Sequence, residues 1–219
     1  MTGLPRPCLM LVTSPSPRLT EIVKEAVAGG VDAVQMRDKR AAGHGLKSVY
    51  KGLTHALRGD TPVIVNADWQ RAAGFGARHI HLPEKSAPVG VVRHHVGMAG
   101  LIGKSVHSVE AAVRAAESGA DYLIVGTIFA SLSHPDIEPQ GLDFLREVCG
   151  SVSVPVLTIG GVTPRNAGDC LRAGAAGVAV LSTIMQADDP RERAEAFRRA
   201  LDAAWEEKYR EEKHDAPDD

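Results

Sequence analysis

The sequence predicts a single (β/α)8 TIM barrel of the α/β class. Three observations lead there: apolar runs of strand length recur along the chain, helical spacing fills most of the gaps, and glycine-rich steps return the chain from helix to strand. The strand runs span residues 8–13, 33–37, 62–66, 79–82, 101–106, 122–128, 154–159 and 177–181. Several are continuous Val/Ile/Leu stretches, the pattern of parallel strands covered on both faces. Helical periodicity marks 19–28, 46–57, 109–118, 141–149, 165–173 and 190–207, whereas the third and fourth connections carry little pattern. The first helix closes on Ala28-Gly29-Gly30. Gly30-Val31-Asp32, Gly119-Ala120-Asp121 and Gly174-Ala175-Ala176-Gly177 lead into strands two, six and eight. Thr163-Pro164 reads as an N-cap with proline at the first helical position. The barrel is expected over residues 1–208, followed by a charged, disordered tail over 209–219.

Composition narrows the function. With 25 Lys+Arg against 27 Asp+Glu, the net charge of −2 gives no field for a nucleic acid backbone or an anionic membrane, so a small molecule is the expected partner. Cys8, Cys149 and Cys170 have neither metal-ligand spacing nor an even count, which points to thiols in a reducing compartment. No apolar stretch approaches membrane-spanning length, and a cytoplasmic location is expected. The sequence does not decide between a monomer and a homo-oligomer.

In this architecture ligands bind where strands end, so the polar residues after each run are the candidates. Gln35, Arg37 and Lys39 follow strand two, Asn66 strand three, and Ser105 and His107 strand five. Thr127, Ser131, Ser133 and His134 follow strand six. Gly160-Gly161, with Leu181-Ser182 after strand eight, would offer backbone N–H groups to a phosphate, helped by the helix beginning at Thr163-Pro164. Arg37 and Lys39 alternate, so both can face the mouth and grip an anion; the same spacing also fits ion pairs with Asp38 or Glu84. His79 and His81 alternate with Ile80 and Leu82, which turns one toward the barrel interior, and no metal-ligand cluster is visible.

These segments together resemble the thiamine phosphate synthase/TenI superfamily. The resemblance is carried by residues 34–39 (VQMRDK), Val65-Asn66, 79–82 (HIHL), 103–108 (GKSVHS), 126–129 (GTIF), 159–162 (IGGV) and 177–180 (GVAV). It implies a (β/α)8 barrel. It also implies that Gln35, Arg37, Lys39, Asn66 and Ser105 contact a pyrimidine pyrophosphate, and that Gly161 and Leu181-Ser182 contact a thiazole phosphate. In the synthases magnesium assists departure of pyrophosphate, and the resemblance places its carboxylates directly after the strand-three Asn and in an acidic segment after strand four. This chain has Ala67 and 82–86 (LPEKS) there, with Asp68 and Glu84 nearby but out of register. The segments after strands four and five are similar to the TenI branch, whose thiazole tautomerase moves a proton without a metal. That branch's histidine after the strand-six glycine is Thr127 here, which leaves His134 or His107 as the expected acid/base. The expected activity is therefore tautomerisation of a thiazole carboxylate phosphate with no cofactor. Thiamine phosphate synthase with Mg2+ is the alternative, and a non-catalytic thiazole or thiamine phosphate binder a third reading.

Overall fold

Side chains alternate between two environments along each strand, and this alternation builds both the core and the site. The computed structural model describes residues 3–37, 44–58, 61–96, 100–131 and 136–214. Its strands are β1 (Cys8–Val12), β2 (Ala33–Arg37), β3 (Val63–Asn66), β4 (His79–Leu82), β5 (Ile102–Val106), β6 (Tyr122–Val125), β7 (Val156–Thr158) and β8 (Gly177–Val180). All pair in parallel and in chain order, and β8 returns to β1 to close the barrel. The expected TIM barrel is the observed fold.

One set of strand residues, including Leu9, Leu11, Val34, Val65, Ile80 and Ile102, faces outward and packs under the helices. The alternate set, including Met10, Val12, Ala33, Ile64, Tyr122 and Leu157, fills the barrel. A two-residue period means that each inward column continues upward to one mouth residue. Ala33 is followed by Gln35 and Arg37, Ile64 by Asn66, Gly103 by Ser105, and Tyr122 by Ile124 and Gly126. The columns are apolar at the bottom and polar at the top.

The helices are α1 (Leu19–Ala28), α2 (His44–Ala56), α3 (Trp69–Gly74), α4 (Val89–Val96), α5 (Val109–Glu117), α6 (Gly141–Ser151), α7 (Ala167–Arg172), α8 (Ser182–Met185) and α9 (Pro190–His214). The poorly patterned third and fourth connections do carry helices, α3 and α4, which are short. Several boundaries shift by one to three residues, among them the end of β6 at Val125, and two helix limits bear on the site and the tail. Helix α7 starts at Ala167, because Asn166 turns its amide onto Gly161 O and its Oδ1 onto Thr163 N, making residues 163–166 a turn. Helix α9 runs past residue 207 to His214. None of the helices in the described residues is long and apolar enough to cross a membrane.

The Gly-x-Asp steps have a structural cause. Asp32 Oδ2 accepts the Leu9 N–H at 2.8 Å and Arg198 Nη1 at 3.0 Å, tying β2's entry to β1 and α9. Asp121 Oδ2 accepts the Ile102 N–H and Arg93 Nη2, both at 2.6 Å, and so ties β6 to β5 and α4. The acid at each strand entry satisfies an N–H of the neighbouring strand, and hydrogen bonds to charged groups contribute about 1.5–3 kcal/mol each. This end of the barrel is fixed, and the ligand end is left for chemistry.

Candidate active site

A cavity of about 500 Å³ opens at the carboxyl end of the strands. On the β2–β3 side its wall includes Gln35, Arg37, Asn66 and Asp68; His81, Glu84, Ser105 and His107 continue it past β4 and β5; Thr127, Ser131, Gly160, Leu181 and Ser182 complete it. Ten of the residues expected at the mouth thus meet in one cavity. Gly161 is not part of this wall, and Lys39, Ser133 and His134 lie outside the described residues.

The floor is a run of buried polar side chains. Asn66 Nδ2 donates to Gln35 Oε1 at 2.9 Å, and Gln35 Nε2 lies 3.9 Å from Met10 Sδ. His81 stands with Nδ1 3.1 Å from Tyr122 Oη and Nε2 2.8 Å from Ser105 Oγ. Gly103 makes this possible: a Cβ there would lie 2.1 Å from Tyr122 Cζ. Burial, with Lys104 nearby, pushes the His81 imidazole down to about 3, so it is neutral at ordinary pH.

The rim is organised by a different set of contacts. Glu84 Oε1 accepts the His107 backbone N–H at 3.0 Å, and its Oε2 sits 2.9 Å from His107 Nδ1. Nε2 is then the ring nitrogen available to a substrate. Gln140 donates from Nε2 to His107 O and from its backbone to Thr127 O, joining the loops after β5 and β6. Behind the rim, Lys104 reaches out from β5 to Ser86 Oγ at 3.1 Å and Ala87 O at 3.2 Å, holding the loop that carries Glu84. Burial lowers the Lys104 pKa, and the Glu84 charge partly opposes that shift.

Arg37 projects from the last position of β2, and desolvation lowers its pKa. The alternative of an Arg37–Glu84 ion pair is not what forms, since both Glu84 oxygens are engaged by His107. Across the barrel, Gly160 and Gly161 take φ values of +98° and +65°, and added Cβ atoms would meet Thr127 Cγ2 at 2.5 Å and Ala130 O at 2.3 Å. Among the described residues neither glycine's N–H donates to another protein group. The expected helix dipole is a smaller part of this anion site than the sequence suggested, because α7 starts three residues beyond Pro164 and spans six residues.

These features define a barrel mouth with Arg37 and the Gln35 and Asn66 amides on one side and Gly160 with Ser182 on the other. A family model described as thiamine monophosphate synthase matches residues 9–184. The chain belongs to the thiamine monophosphate synthase family. It is 42% identical over 188 residues to a protein of Natronomonas pharaonis named thiamine-phosphate synthase, covering 84% of this chain and 86% of that protein. A protein of the same name from Methanoculleus marisnigri is 40% identical over 187 residues, covering 84% and 89%. Among solved structures, thiamine phosphate pyrophosphorylase from Pyrococcus furiosus has a TM-score of 0.80 and 33% identity over 90% of this chain and 96% of that one. The 3-hexulose-6-phosphate synthase of Salmonella typhimurium, at TM-score 0.71 and 17% identity, shares the fold.

The family context sharpens the question of the metal. Asp68 and Glu84, out of register in sequence, both reach the cavity wall. Magnesium often uses one or two carboxylates and takes its remaining oxygens from water and substrate phosphates. Asp68 fits that role, whereas both Glu84 oxygens are engaged by His107, and the described residues contain no cluster of three or more metal-binding side chains. Asp68 also caps α3, with Oδ1 accepting the Arg71 N–H at 3.0 Å.

Sequence reasoning passed over Tyr122 and Ile137. Tyr122 was read as part of an apolar strand, and its signal was the mid-strand Gly103 that clears space for it. Ile137, 49% exposed on the loop after β6, adds an apolar face to the cavity wall and carries no periodicity that would mark it.

Proposed function

We propose that this family member is a thiamine phosphate synthase, joining a hydroxymethylpyrimidine pyrophosphate to a thiazole phosphate. The structural observation that carries the reading is the pair of anion-binding poles in one cavity. Arg37 with Gln35 and Asn66 on β2–β3 suits the pyrophosphate-bearing half, and Gly160 and Ser182 beyond β7 and β8 suit the second phosphate. A thiazole carboxylate phosphate also carries two anionic groups, so the two poles fit either substrate set and the preference for the synthase rests on the relatives. Their names support it over the tautomerase expected from the loops after β4 and β5.

In this reading the C–O bond between the pyrimidine methylene and pyrophosphate breaks, and the thiazole nitrogen forms the new C–N bond to that methylene. Arg37 faces charge that grows on the departing oxygen, where a preorganised donor is most effective. Asp68 would hold magnesium, whose chemistry is to neutralise pyrophosphate oxygens. The poles hold both substrates in one cavity, converting an encounter into a positioned reaction.

The test is incubation with both substrates, with and without magnesium, and an assay of thiamine phosphate. Magnesium-dependent coupling supports the proposal, and its absence beside catalysed isomerisation of thiazole carboxylate phosphate would replace it with the tautomerase. One observation favours that second reading: the His107–Glu84 pair at the rim is arranged as an oriented acid/base.

A further inference from the structure

The buried residues under the cavity form a hydrogen-bond chain with a direction. Beside the Gln35–Asn66 pair, Tyr122, His81 and Ser105 are joined in series by hydrogen bonds. Gln35, His81 and Tyr122 are 2%, 1% and 0% exposed, so no bulk solvent can supply alternative partners. A hydroxyl has one proton to give. Among the described residues His81 Nδ1, 3.1 Å away, is the partner of the buried Tyr122 hydroxyl, so the phenolic proton goes there. An imidazole that accepts at Nδ1 and is neutral carries its proton on Nε2, and this proton points at Ser105 Oγ, 2.8 Å away. Ser105 Oγ is thereby an acceptor on its buried side. Its own proton is left to the cavity, whose wall Ser105 helps form.

We infer that His81 and Tyr122 are positioning residues that lock Ser105 as a hydrogen-bond donor to the ligand, so that the site selects a ligand acceptor atom at that point. His81 acts as a relay with a fixed tautomer, not as the acid/base of the reaction. Burial reinforces the assignment, because a cationic His81 would need to donate from both nitrogens in a site with almost no access to water. Specificity follows from chemistry: a ring nitrogen with a lone pair or a phosphate oxygen satisfies the Ser105 proton, whereas an N–H at the same place meets a second donor. The identity of the ligand rests on the proposed function; the tautomer and the direction of the chain do not.

The two halves are tested separately. Nitrogen NMR of protein labelled at its 9 histidines, with the His81 signal assigned by its loss in His81→Gln, reads the tautomer directly. The expected result is a neutral ring with the proton on Nε2, and a Tyr122→Phe protein in which the Nδ1 signal loses its hydrogen-bond shift. A proton on Nδ1 in the wild type would overturn the inference, since it reverses every bond in the chain and makes Ser105 donate to His81. For the ligand half, Ser105→Ala is titrated calorimetrically with inorganic pyrophosphate, hydroxymethylpyrimidine pyrophosphate and thiazole phosphate. Loss of about ten-fold or more in affinity is expected for at least one. Loss with pyrophosphate itself places the acceptor on a phosphate oxygen, and loss only with the pyrimidine-bearing ligand places it on the ring. Unchanged affinity for all three, with the NMR result intact, would overturn the donor role of Ser105 and leave the synthase reading standing.

Discussion

Lowering the pH from about 7.5 to about 5 should remove about 2 kcal/mol of stability through one side chain, His81. The imidazole is held down to about 3 in the folded protein, from an ordinary value of 6.5, by burial first and by the Lys104 charge second. A histidine with a depressed folded pKa binds fewer protons folded than unfolded. Its penalty is therefore absent above the unfolded value and grows as pH falls from 6.5 toward 3, by about 1.4 kcal/mol per pH unit. Against a typical total of about 5–15 kcal/mol, that is a large share. Urea unfolding followed by circular dichroism at the two pH values, on wild type and His81→Gln, isolates the effect because the remaining groups titrate in both proteins. Wild type should lose about 2 kcal/mol more than the variant on acidification. Equal losses in the two proteins would refute the reasoning, since they would mean that His81 accepts a proton in the fold as readily as in water.

Four other substitutions probe separate parts of the site. Gly160→Ala forces a Cβ onto Thr127 at a φ of +98°, and should lower stability by about 2–5 kcal/mol in thermal unfolding while weakening phosphate binding. Arg37→Ala should reduce pyrophosphate affinity by about ten-fold or more in calorimetry with the melting temperature unchanged, as expected for a charged group that serves a ligand. Asp68→Asn keeps an N-cap of equal quality for α3 but removes the charge, so stability should hold while the magnesium concentration needed for half-maximal coupling rises. Lys104→Met should cost about 1–3 kcal/mol in urea unfolding and speed hydrogen exchange in residues 84–87, because the Ser86 and Ala87 acceptors lose their shared donor.

Much of the fold was legible because a parallel barrel imposes two simple periods. The strands stood out as apolar runs, and the inward columns placed Gln35, Arg37, Asn66 and Ser105 at the mouth before any coordinate was known. What stayed hidden depended on side chains choosing partners far away in sequence. Thr163-Pro164 has the composition of a helix start, yet Asn166 spends its amide on Gly161 and Thr163, and the turn that results serves the glycine pair and delays α7. Glu84 and His107 lie 23 residues apart, and nothing in either segment announces that both carboxylate oxygens would be used on one histidine. Linear register did not show where the carboxylates end up. Asp68 and Glu84 are displaced along the chain from the positions the family resemblance implies, but loop geometry brings both to the cavity wall.

The pairing of Glu84 with His107 has a consequence for Arg37. A carboxylate and a guanidinium on the wall of one partly desolvated cavity attract strongly, and an ion pair between them would occupy the group that a ligand phosphate needs. Glu84 is instead anchored from behind by the loop that Lys104 holds and from the side by His107, so its charge is committed on β5's side of the mouth. Arg37 can then remain partly desolvated on β2, where no carboxylate among the described residues bonds it. Holding a cation ready in this way has an energetic cost in the empty protein that an anionic ligand relieves on binding, which is the sense in which the mouth is preorganised. The same logic applies one layer down, where neutral His81 and Tyr122 bring directional hydrogen bonds to the ligand without adding a charge that would compete with Arg37. The opposite pole, built from backbone N–H groups, cannot neutralise Asp68 or Glu84 by proton transfer. Arg37 and the backbone donors thus lie on opposite sides of the mouth, and under the proposed reading two substrates, each bringing one anionic group, satisfy them together.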